Sequence, residues 1–151
     1  MEWTRGAYVI STDRARIDLA AVHRFLSEDA YWSPGIPVDV VRRAIEHSLV
    51  FGLYRGNEQA GLARVVTDQA TFAWVCDVFV LPEHRGQGLG KWLIECVKAY
   101  PELRGLRRWI LATRDAHGLY EQFGFMTAEA GRLMEIRDID VYRRQRAVHG
   151  E

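Results

Sequence analysis

The stretch Arg85-Gly86-Gln87-Gly88-Leu89-Gly90-Lys91 carries three glycines two positions apart, directly before a helical apolar period. Leu89, Trp92, Leu93, Cys96, Val97 and Tyr100 fall at helix spacing. The first N–H groups of a helix have no acceptor inside it and carry the positive end of its dipole. Glycines let that backbone approach a bulky anion, so a turn of this kind suits phosphate. Two familiar phosphate loops fail here. The dinucleotide pattern G-x-G-x-x-G would need glycine where Lys91 stands. A P-loop needs Ser or Thr after Gly-Lys, and Trp92 follows Lys91. Taken alone, the turn also fits a purely packing role.

Two more places hold side chains that could do chemistry. Asp77 is a carboxylate inside an apolar, strand-like run from Cys76 to Leu81. Strand alternation puts it on the face opposite Cys76 and Val78. It fits a general base, or a carboxylate bonded to a neighbouring loop. Tyr31 and Trp32 are adjacent aromatics in a segment with Pro34, Gly35 and Pro37. Such a pair either packs on the body or meets a ligand.

Arg85 to Gly90 fits a third pattern, R/Q-x-x-G-x-G/A, and Leu119-Tyr120-Glu121-Gln122-Phe123-Gly124-Phe125 fits L-Y-x-x-x-G-F. In this order the two motifs resemble those of the GNAT superfamily of acyl-CoA-dependent N-acyltransferases. The resemblance covers Val75 to Phe125 in detail. It implies that backbone N–H groups of Gln87, Gly88, Leu89, Gly90 and Lys91 hold the pyrophosphate of acetyl-CoA, with Gly86 part of the same cofactor loop. Arg85 would add a charged contact or brace the loop. The pantetheine would lie along the backbone of Phe79 and Val80. The hydroxyl of Tyr120 would face the sulfur, where a donor can protonate the departing thiolate. Thr113 departs from the family pattern, which often has asparagine seven residues before the tyrosine.

The resemblance also implies an activity. It is acetyl transfer from acetyl-CoA to a primary amine, by direct attack in a ternary complex. Tyr31, Trp32 and Trp74 would form the wall of the acceptor site. For the proton the amine must lose, Asp77 is the first candidate. His117, Glu28 and His84 follow, and ordered water serves in many relatives. His84 otherwise reads as a solvated loop residue. The acceptor is a small-molecule or peptide amine. A non-catalytic acyl-CoA sensor or interaction module on the same fold is the alternative, and the intact Tyr120 argues against it. Homodimers are common in this family, so a homodimer is an expectation.

Composition sets the bounds. A length of 151 residues suggests a single domain over 1–151. Lys plus Arg and Asp plus Glu are both 20, which argues against a nucleic-acid or membrane-surface partner. No segment is apolar enough for a membrane span, and the charged N-terminus does not resemble a signal peptide, so a cytoplasmic place is expected. No His/Cys/Asp group shows metal-ligand spacing in the chain, so no metal is expected. Cys76 and Cys96 read as reduced and structural.

The elements that must position these residues follow from periodicity. Strands are expected at Tyr8–Ser11, Leu49–Tyr54, Gln59–Thr67, Thr71–Leu81 and Arg108–Thr113. Helices are expected at Leu19–Glu28, Val38–Ser48, Leu89–Tyr100 and Ala116–Phe123. Two weaker strands are expected at Phe125–Thr127 and Arg132–Ile136, and the tail from Tyr142 to Glu151 reads as a frayed end or an edge contact. The order is β-α-α-β-β-β-α-β-α-β-β. The class is α/β (α+β), and the resemblance adds a mixed, mostly antiparallel central sheet flanked by helices.

Overall fold

The computed structural model of the chain describes residues 1–149. Six strands form one sheet whose spatial order is the order of the sequence. They are β1 (Glu2–Arg5), β2 (Tyr8–Ser11), β3 (Leu49–Arg55), β4 (Glu58–Thr67), β5 (Phe72–Val80) and β6 (Arg108–Leu111). The first five pair antiparallel, and β5 pairs parallel with β6. Strand β1 was not expected. Its tight turn at Gly6, with φ of 57°, is the signal that announces it. It is an exposed edge strand, and only Trp3 packs inward, stacking on Phe51.

Helices cover both faces. On one side lie α1 (Leu19–Arg24), a π-helical turn (Phe25–Asp29) and α2 (Val38–Glu46). Asp18 caps α1 by accepting from the Ala21 N–H at 3.1 Å. Val22, Phe25, Leu26, Val41 and Ile45 pack there on Val50, Leu62 and Phe79. On the other side, α3 (Leu89–Ala99) lays Leu89, Trp92, Leu93, Cys96 and Val97 on Ile10, Phe51, Ala63 and Val65. This is the helical stripe read from the sequence. A short α4 (His117–Glu121) follows β6 and sets Tyr120 against Val75 and Ile94.

The C-terminal part departs from expectation. Residues 125–127 and 132–136 form no strand. A strand exists only with a hydrogen-bonded neighbour, and this segment carries Glu129, Arg132 and Glu135 with a left-handed Gly131 at φ 82°. Space remains between it and the free edge of β6, in a cavity of about 290 Å³. Of the two readings of the tail, the frayed end does not hold, and the tail folds and makes contact. Val141–His149 form α5, and Tyr142 packs on the α1/α2 cluster. Of the expected tail, residues 150–151 lie outside the described residues.

Candidate active site

Strands β5 and β6 pair from Phe72 opposite Arg108 to Val75 opposite Leu111, and no further. Beyond that point Cys76–Val80 and Ala112–Thr113 part, leaving a wedge between two parallel strands. The glycine turn sits past the end of β5. Gly86 and Gly88 have φ of 81° and 76°, which a side chain would strain. A Cβ built on either meets nothing within 4 Å, so the turn faces open space rather than packing. Gly88 caps α3 without a side chain, so no side-chain acceptor meets the helix's first amides.

The turn is braced from behind. Arg85 turns back, and its Nε donates to the carbonyl of Val80 at 2.8 Å. Gln87 Nε2 donates to the Tyr8 hydroxyl at 3.3 Å and to the His84 carbonyl at 3.1 Å. The Tyr8 hydroxyl lies 2.8 Å from His84 Nδ1, and His84 Nε2 lies 3.3 Å from Glu58. One assignment satisfies the chain: Gln87 donates to Tyr8, Tyr8 to Nδ1, and Nε2–H to Glu58. His84 is thus a buried brace and not the solvated loop residue expected. Folding also brings the ligand atoms of Glu58, Glu83 and His84 within 4.8 Å of one another. Linear spacing could not reveal that grouping, and both ring nitrogens of His84 are already engaged.

At the mouth of the wedge, six of the expected residues border one cavity of about 210 Å³: Tyr31, Trp32, Trp74, Asp77, Thr113 and Tyr120. A larger cavity of about 690 Å³ lies elsewhere, between Lys98, β6 and residues 123–132, and borders none of them. Tyr120 is buried, and burial first, then the nearby Tyr31 and Asp115, push its hydroxyl up to about 12. It therefore stays protonated at neutral pH. The Thr113 hydroxyl accepts from the Ala116 N–H at 3.0 Å and fixes the entry to α4. Tyr31 spans the wedge: its hydroxyl accepts from the Arg114 N–H at 3.0 Å, and the Arg114 guanidinium lies 3.8 Å over its ring.

Asp77 does not follow strand alternation. Leu62 pairs with Phe79 but Arg64 pairs with Cys76, so β5 carries an extra residue opposite β4. Asp77 occupies this bulge with φ of 50°. It borders the same two cavities as Cys76 instead of lying on the opposite face. Both carboxylate oxygens are used. Arg64 Nε donates at 2.7 Å and Trp32 Nε1 at 2.9 Å. Arg64 also donates to the Ser48 hydroxyl at 3.0 Å. Arg64 was not singled out in the sequence, although a lone charge in Ala60-Gly61-Leu62-Ala63-Arg64-Val65-Val66 signals a paired, buried cation. His117 is exposed on α4 but borders, with Thr113 and Tyr120, the cavity of about 290 Å³, and Glu28 borders none of these cavities.

An open sheet that parts between two parallel strands, with a glycine turn at one strand's end, has the architecture of an acyltransferase. The family model for the acetyltransferase (GNAT) domain matches residues 46–127. A Gibberella zeae protein named as a candidate acetyltransferase is 37% identical over 141 residues, covering 78% of each chain. The crystal structure of a candidate GNAT acetyltransferase from Xanthomonas campestris pv. campestris is 47% identical, with a TM-score of 0.88. It covers 92% of this chain and 99% of that one. A candidate acetyltransferase of Clostridium acetobutylicum, solved with acetyl-CoA, shares the fold at 15% identity and a TM-score of 0.64, over 86% of this chain and 94% of that one. The chain belongs to the GNAT acetyltransferase family.

Proposed function

We propose that the protein is an N-acetyltransferase that moves the acetyl group of acetyl-CoA to a primary amine by direct attack in a ternary complex. The observation that carries this reading is the open, unstrained approach to the glycine turn beside a wedge whose mouth holds a protonated, buried tyrosine. The amides of Gln87 to Lys91 take the pyrophosphate, and the backbone of Phe79 and Val80, on the side where β5 has no pairing with β6, guides the pantetheine. A relative on the same fold was solved with acetyl-CoA, which supports the same co-substrate here.

The chemistry balances with groups of this chain. The bound ammonium gives one proton to water, and the neutral amine nitrogen attacks the thioester carbon. The C–N bond forms, the nitrogen gives a second proton to water, the C–S bond breaks, and Tyr120 gives its proton to the departing thiolate. One of the two protons released by the nitrogen returns to Tyr120 through solvent, and the other stays in solvent. Asp77 is assigned here to positioning, since its oxygens hold Arg64 and Trp32. Tyr31, Trp32 and Trp74 wall the acceptor.

Calorimetry with acetyl-CoA and CoA tests the reading, on wild type and on Gly90→Glu. Gly90 is helical, its Cβ would have room, and a carboxylate there opposes the pyrophosphate without backbone strain. Binding by wild type that Gly90→Glu loses, followed by thiol release with amines, supports the transferase. Binding without turnover of any amine leaves the sensor alternative. A folded wild type that binds neither form overturns the reading.

A further inference from the structure

A second cavity lies behind the acceptor wall. It is about 250 Å³, between α1, α2 and the sheet, and its lining is apolar, with Val22, Leu26, Ile36, Val41 and Leu62. Trp32, Cys76 and Asp77 border both this chamber and the cavity that holds Tyr120. The two spaces therefore share one wall. The hydrogen bond from Trp32 Nε1 to Asp77 at 2.9 Å fastens that wall.

The two partners differ in freedom. Trp32 sits on a loop with 37% of its surface exposed, and its ring leans on Tyr31 and on the rim of the core at Phe25, so it is the more movable of the two. Asp77 is fixed by Arg64 and by a left-handed bulge, a backbone state that persists only where the surroundings enforce it. Most polar side chains that border the chamber are paired. Arg64 is held by Asp77 and Ser48, and the Ser33 hydroxyl donates to the Leu26 carbonyl at 2.7 Å. Tyr142 adds a hydroxyl near Arg64 and Asp77. The rest of the lining is apolar, and an empty apolar space forfeits packing contacts. An apolar cavity of about 150 Å³ accepts benzene, so this chamber has room for a phenyl ring with a short alkyl linker.

We infer that the chamber is the acceptor's side-chain subsite, and that the acceptor is a primary amine bearing an apolar group the size of a phenyl ring and its linker. The inference rests on the transferase reading. On binding, the ammonium takes over the Asp77 oxygen that Trp32 now holds. The indole swings aside, and the apolar group passes into the chamber while the nitrogen stays beside Tyr120. The indole N–H is a stand-in donor, so the carboxylate is never left unpaired.

The test uses the full chain and two amines, 3-phenylpropylamine and ethanolamine. Thiol release from acetyl-CoA reads turnover, and calorimetry reads amine binding without acetyl-CoA. Wild type is expected to prefer 3-phenylpropylamine by at least tenfold in kcat/KM. Ala44 borders the chamber but not the Tyr120 cavity. Ala44→Phe, confirmed folded by its melting curve, should lose at least tenfold on 3-phenylpropylamine, lose its calorimetric binding, and keep ethanolamine turnover within twofold. Ala44→Leu, smaller and easier to accommodate, should shift the same way if Ala44→Phe does not fold. Trp32→Phe should lower KM for the aryl amine. Equal treatment of both amines, or equal losses on both in the Ala44 variants, overturns the chamber inference while ethanolamine turnover keeps the transferase. Absence of acetyl-CoA binding overturns both.

Discussion

The Trp32 indole donates to the Asp77 carboxylate at 2.9 Å, across 45 positions of sequence. That one bond ties the loop between α1 and α2 to the bulge in β5, and Arg64 completes it from β4 at 2.7 Å. A buried carboxylate is costly unless paired, so the three residues stand or fall together. Arg64→Ala leaves Asp77 charged and poorly paired. Because both side chains are largely buried, urea unfolding should show a loss of about 3 kcal/mol. Asp77→Asn keeps the tolerance for a left-handed backbone and removes the charge. Its kcat/KM for the amine should fall about 10-fold or more by loss of the ammonium's partner, with acetyl-CoA affinity within twofold. Unchanged amine kinetics would remove Asp77 from the acceptor site.

Tyr120→Phe removes the proposed proton donor and keeps the ring against Val75 and Ile94. It should lower kcat by roughly 10²-fold and leave acetyl-CoA affinity unchanged in calorimetry. The hydroxyl is pushed up to about 12, chiefly by burial. The folded state therefore favours the protonated form. That contribution is whole below pH 10, the ordinary tyrosine value, and fades as pH rises through about 12. Wild-type rate should show no alkaline loss assignable to Tyr120 below pH 10. A loss near pH 8 that Tyr120→Phe abolishes would contradict this.

The brace behind the glycine turn makes a separate prediction. Tyr8→Phe removes a hydroxyl that meets both His84 and Gln87. Unfolding should cost about 1 kcal/mol less, and the acetyl-CoA Kd should rise several-fold through loosening of the turn. Amine KM should not change, because Tyr8 borders neither the acceptor cavity nor the chamber. A change in amine KM with an unchanged acetyl-CoA Kd would show that the brace acts elsewhere.

Burial, as the leading cause, pushes both cysteine thiols up to about 12, against an ordinary value of 9.0. The thiol form is thus favoured by folding, and the thiolate that reacts is scarce at neutral pH. Iodoacetamide at pH 8 should leave Cys76 and Cys96 unmodified in the folded protein, and denaturant should release both. Mass spectrometry before and after unfolding reads this directly. Rapid alkylation of native Cys76 would mean that the Arg64 guanidinium beside it outweighs burial.

Features that depend on neighbours along the chain were legible in the residues alone. The glycine turn, the apolar stripe of α3 and the run of strands from Leu49 to Val80 are local patterns, and local hydrogen bonds and periodicity express them directly. The motif residues Tyr120 and Thr113 were legible for the same reason, as were the loop aromatics Tyr31 and Trp32. The fold set the register between β4 and β5. One extra residue turned Asp77 onto the Cys76 side, because register is a property of two strands and not of one. It also decided that Arg64 and Trp32 meet Asp77, and that His84 is buried behind Tyr8. It left residues 125–136 without a strand despite their apolar content, since the segment stands off the free edge of β6 across a cavity. And it drew Tyr142 of α5 onto the chamber wall from a tail whose composition looked unpromising. Each of these rests on long-range pairing, in which burial and hydrogen bonding are settled by distant partners that no window of the chain contains.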